Sequence, residues 1–138
     1  MVQIDVTYEG GLRTRAVHGP SGSTLVTDAP VDNQGRGESF SPTDLVATGL
    51  GACILTIMGI VAERHGWPLV GATARVAKRM AADPRRIAAL EVVIRVPAGP
   101  DGPLDERARA ALERAAHGCP VHVTLEGKVE LPVRFEWA

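Results

Sequence analysis

The chain has 138 residues, with fifteen Lys plus Arg against sixteen Asp plus Glu and a formal net charge of −1. That balance excludes the electrostatic footprint of a nucleic-acid binder or a polybasic membrane patch. A composition 45% hydrophobic and 22% charged excludes a disordered chain. At this length one domain spanning residues 1–138 is expected, burying about two-thirds of its unfolded surface. Two cysteines are too few for a secreted disulfide scaffold, which predicts an intracellular, cytoplasmic setting.

The first residues, Met-Val-Gln-Ile-Asp-Val, lack a basic region followed by an apolar run, so no secretory signal is expected. Val2, Ile4, Val6 and Tyr8 alternate with polar residues, the period of a half-buried strand. Gly10-Gly11 predicts a hairpin turn and Leu12 to His18 the returning strand. A second turn at Gly19–Gly22 leads into a third strand near Ser23 to Asp28, and residues 29–41 form a long loop.

Ser41-Pro42-Thr43-Asp44 is a helix start: Ser41 suits the N-cap, Pro42 the first helical position, and Asp44 the third. The helix is expected to run to His65, with Gly66 as its stop. Leu45 to Ala62 is a stretch of 18 uncharged residues, the lower limit for a spanning helix. It holds three glycines and no aromatic belt, so a central helix of a soluble core or a subunit interface is the expectation, with no membrane partner. Such an apolar helix is too much for one small sheet to cover, which predicts a second subunit packed on it.

Alternation resumes over 70–80 and again at Leu90, Val92, Ile94 and Val96, with Asp83-Pro84-Arg85-Arg86 as the turn between. Residues 104–117 have helical composition, with Ala108, Ala111, Leu112 and Ala115 on one stripe and Gly118 as the stop. Cys119-Pro120 opens a short segment with room for a further helical turn. Val129 to Trp137 alternates as a closing strand, and Pro132 predicts an edge or bulge position. The order βββ-α-ββ-α-β defines an α+β fold of antiparallel pairs around one long apolar helix.

No phosphate loop, GxGxxG, GxSxG or HExxH is present. The candidates for chemistry are therefore Cys53, Cys119, four histidines and a few placed charges. Cys119 precedes a proline at a helix start, where backbone N–H groups and the helix dipole lower a thiol pKa. Cys53 lies mid-helix, where burial alone leaves a thiol inert. Each also fits a small buried hydrophobe, and a separation of 66 positions does not say whether they meet.

These residues carry a resemblance. SPTDLVATGLGAC, in which Cys53 follows Pro42 by eleven positions, resembles the helix start of the OsmC/Ohr family of thiol peroxidases. GCPVHVTL, residues 118–125, resembles that family's second signature, a Cys-Pro pair after an Ala-rich helix. The DAPVDNQGRGESFSP loop is similar to that of the general OsmC-like branch. The resemblance implies an intertwined homodimer with the long helices packed centrally and active sites at the subunit interface. It implies that Cys53 is the peroxidatic thiol and Cys119 the resolving one, opposite to the acidity expected from position alone. It further implies an organic, including fatty-acid, hydroperoxide as substrate, a dithiol reductant, and no metal or organic cofactor.

One position departs from the family pattern. Where its best-defined peroxidases carry Glu after the motif proline, this chain has Thr43, and the acid follows as Asp44. At about 100° per residue, Thr43 lies about 80° round the helix from Cys53 and Asp44 about 180°. Asp44 is therefore expected to cap the helix. The missing Glu keeps a second reading open: a non-catalytic homodimer that binds a small apolar ligand or senses thiol oxidation. Arg36 is the first candidate for the cation that activates Cys53, with Glu38 as its orienter and Arg13 or Arg15 as alternatives. His117, Cys119 and His122 form a His-x-Cys-x-x-His cluster that zinc accepts, but the resemblance explains Cys119 without metal.

Overall fold

A computed structural model describes all residues 1–138. The chain forms two compact units, Met1–Val46 and Ala47–Ala138.

In the first unit, β1 (Ile4–Gly10), β2 (Arg13–His18) and β3 (Thr24–Thr27) form an antiparallel sheet in that order. The predicted hairpin closes with Ile4 opposite His18 and Val6 opposite Ala16. The alternation in β1 is real, but this chain does not bury the face it defines: Ile4, Val6 and Tyr8 are 61–65% exposed. The long loop is tied at its base. Asp28 is buried, donates its N–H to the Phe40 carbonyl at 3.0 Å, and accepts the N–H of Glu38 on its carboxylate at 3.1 Å.

Helix α1 (Pro42–His65) starts as the sequence predicts. Ser41 Oγ accepts the N–H of Asp44 at 3.1 Å, and Asp44 Oδ2 accepts the N–H of Ser41 at 2.8 Å, a reciprocal capping box. The helix ends at Gly66, whose φ of +68° is the left-handed conformation glycine favours. Trp67 N–H reaches the Ala62 carbonyl and Gly66 N–H the Glu63 carbonyl, closing a Schellman motif. Along α1 the buried residues Ala47, Leu50, Gly51, Ile54, Met58 and Ala62 make one stripe at helical spacing.

The second unit has its own sheet, β4 (Thr73–Ala81), β5 (Arg86–Val96) and β6 (Val133–Trp137), in that order. β4 and β5 pair antiparallel, but β6 joins β5 in parallel, where an antiparallel strand was expected. The reason lies in the connection. Helices α2 (Glu106–His117) and α3 (Pro120–Leu125) carry the chain back across the sheet, so β6 enters from the same end as β5. β6 is an edge strand, as Pro132 just before it predicts.

Leu90, Val92, Ile94 and Val96 are buried as predicted, and Leu112, Ala108 and Ala116 of α2 join the core. The α2 stripe is therefore 108, 112, 116, with Ala111 and Ala115 only partly covered. α1 lies close on β4 at Gly51, where an added Cβ would stand 3.0 Å from Val76 Cγ2 and 3.5 Å from Ala74 Cβ. α1 is long and apolar enough to cross a membrane by composition, yet its stripe is the core of this unit.

Candidate active site

α2 stops at Gly118 and α3 begins at Pro120, so Cys119 is the residue at the junction and the N-cap of α3. It is fully buried, and its sulfur accepts the backbone N–H of His122 at 3.2 Å. It also interacts with the side chain of Cys53, half-buried on α1. The two thiols, 66 positions apart in sequence, thus meet within the second unit, and both are free.

Burial pushes the Cys119 thiol above its ordinary pKa, and the neighbouring Cys53 pushes it further. The backbone N–H groups of His122 and Val121 pull the other way without prevailing. The acidic Cys119 expected from its helix-start position is thereby corrected: loss of water around the sulfur outweighs the N-cap contacts. Cys119 therefore holds its proton to higher pH than an ordinary thiol.

The candidate charges lie in the first unit. Arg36 is exposed in the long loop. Glu38, expected to orient Arg36, instead accepts a hydrogen bond from Arg13 at 2.5 Å, and Arg13 also lies 3.6 Å from Asp28. These two carboxylates raise the Arg13 pKa and keep the guanidinium charged, Glu38 contributing most. Arg15 pairs separately with Glu9 at 3.3 Å. Asp44 is engaged in the α1 cap, in agreement with the helical-geometry argument. Asp28 is the residue that sequence reasoning missed. Its only signal was an acid closing the short apolar run of β3.

His117 shares a 2.8 Å hydrogen bond between Nδ1 and the Glu113 carbonyl oxygen, and its ring meets that of His122 edge-on at 5.6 Å. His122 is buried, and its Nδ1 has no hydrogen-bond partner. No three His, Cys, Asp or Glu side chains are grouped so as to hold a metal ion.

Two three-stranded sheets, one long apolar helix and two free cysteines define the arrangement to be compared with known proteins. The model of the OsmC-like protein family matches residues 35–134, and the chain belongs to that family. It is 43% identical to an osmotic stress induced and detoxification response protein from Psychrobacter arcticus 273-4, with a TM-score of 0.90 over 99% of this chain and 96% of that one. An organic hydroperoxide resistance protein OsmC from Legionella pneumophila shares the fold at 21% identity and a TM-score of 0.73, covering 99% and 96% of the two chains. The organic hydroperoxide resistance protein OhrB of Bacillus subtilis does so at 18% and 0.66, covering 99% and 98%. No curated protein matches the sequence.

Proposed function

We propose that the protein is a thiol-dependent peroxidase that reduces organic hydroperoxides, including those of fatty acids. The observation that carries this reading is the interacting pair of free thiols, Cys53 and Cys119. Attack of the Cys53 thiolate on the distal peroxide oxygen breaks the O–O bond; with one proton, the leaving group departs as an alcohol and Cys53 becomes a sulfenic acid. The protonated Cys119 thiol then condenses with it: an S–S bond forms, and water leaves with the sulfenic oxygen. A dithiol reductant reopens the disulfide by exchange, becoming oxidised in turn.

A resolving thiol that stays protonated does not compete for peroxide, and its raised pKa supports Cys119 in that role. The activating cation is proposed to be an arginine, with Arg36 the candidate the sequence suggests and Arg13, which Glu38 orients, the alternative. The uncovered apolar face of β1 and the apolar length of α1 support a homodimer.

The test treats reduced protein with a stoichiometric organic hydroperoxide and follows thiol loss and intact mass. Wild type is expected to lose two hydrogens; Cys119→Ser is expected to gain an oxygen at Cys53. Unchanged thiols in wild type would overturn the reading. They would instead support a non-catalytic OsmC-fold homodimer that binds an apolar ligand, whereas thiol loss without turnover would support one that senses thiol oxidation; the use of Asp44 as a cap and Thr43 in place of a carboxylate favours this second reading.

A further inference from the structure

The sheet of the second unit has a polar face away from its core. On it, register places Arg75 and Arg134 on either side of Val93 in one row, and Thr73 and Glu136 on either side of Arg95 in the next. Adjacent strands lie about 4.8 Å apart, so long side chains from all three converge. They line a shallow hollow of about 190 Å³.

The charges in this hollow do not balance. Glu136 is the one acid among three guanidiniums. One of its oxygens accepts from Nε of Arg95 and the other lies 3.2 Å from Nη2 of Arg134. All three arginines hold the Glu136 carboxyl below the usual carboxylate range, that of Arg95 most strongly, with burial opposing them. Two positive charges remain in excess, on a chain whose net charge is −1. Arg95 meets Glu136 through Nε while its side chain is 66% exposed, and Arg75 acts on Glu136 through its charge. A carboxylate that grips one edge of a guanidinium while the other edge stays open orients a fork suited to a tetrahedral oxyanion.

We propose that this hollow binds a phosphate group, with Arg75 and Arg95 as its principal donors and Arg134 completing the charge. Glu136 is the positioning residue that aligns Arg95. A second hollow adjoins the first, shares Thr73, Arg95 and Glu136 with it, and is walled by Pro97 and Trp137, which suits the organic body of a phosphate monoester. The site is independent of the thiol chemistry, since none of its residues belongs to the sulfur pair.

The test titrates the protein with inorganic phosphate and with phenyl phosphate at constant ionic strength, following backbone amide resonances. Saturable shifts centred on Thr73, Arg75, Arg95 and Arg134 are expected, with Arg75→Gln and Arg95→Gln each weakening binding about tenfold, the loss of one charge-assisted contact. Arg107→Gln, an exposed arginine on α2, is expected to bind as wild type. Tighter binding of phenyl phosphate supports a monoester; equal binding supports free phosphate in the same site. Identical shifts with sodium chloride, or equal weakening by Arg107→Gln, would overturn the proposal.

Discussion

The backbone N–H of His122 donates to the sulfur of Cys119 across 3.2 Å, and this contact opposes a burial that outweighs it. The thiol is consequently less acidic than its place at a helix start implies. Replacing Cys53 with Ala removes one of the two influences that raise it and leaves burial in place. The Cys119 pKa in Cys53→Ala is expected to fall relative to wild type yet stay above the ordinary thiol value. Thiolate absorbance against pH measures both. An unmoved or raised value in Cys53→Ala would contradict the coupling.

The same shift makes a stability prediction with a defined sign. An acid whose folded pKa is raised binds its proton more tightly folded than unfolded. The stabilisation is complete below the unfolded thiol value of about 8.5 and is lost as pH rises through the folded value. Denaturation midpoints of wild type are expected to drop over that alkaline window more steeply than those of Cys119→Ala.

Ser41 and Asp44 satisfy each other's backbone N–H groups at the start of α1. Ser41→Ala and Asp44→Ala are each expected to cost about 1 kcal/mol in chemical denaturation, with a combined loss smaller than the sum. The rate of thiol loss to hydroperoxide in Asp44→Ala is expected to match wild type. A large drop in that rate would give Asp44 a part in the chemistry.

Asp28 is fully buried and gathers Glu38, Phe40 and Arg13 onto one residue. Asp28→Ala leaves the Glu38 N–H without its acceptor and is expected to destabilise by roughly 1–3 kcal/mol. Limited proteolysis is expected to cut within residues 29–41 of the variant before any other segment. Wild-type resistance there would show that the loop is held by other means.

Gly51 lets α1 approach β4 with no room to spare. Gly51→Leu must displace Val76 or the helix itself and is expected to cost about 1–3 kcal/mol by overpacking. Because Cys53 lies two positions further on, the displacement is also expected to slow disulfide formation, measured as the rate of thiol loss after peroxide addition.

Local patterns in the sequence located nearly every element, because alternation, N-cap residues and glycine stops act within a few positions. What they did not carry was direction and distance. Period-2 alternation reads the same in either direction, so the parallel pairing of β6 with β5 was invisible in Val133, Phe135 and Trp137. The union of Glu38 with Arg13 spans 25 positions and depends on how the loop folds back over β2. The helix start at Cys119 was legible from Pro120, but the burial that reverses its acidity was not. The meeting of Cys53 with Cys119 was available only through resemblance.

Since the sulfur of Cys119 is itself the cap of α3, its chemical state and the winding of the six residues that follow are a single variable. Anything that changes the acceptor strength of that atom is felt first by one amide proton. The exchange rate and chemical shift of the His122 amide therefore read the redox condition of the protein from the backbone, with no label attached.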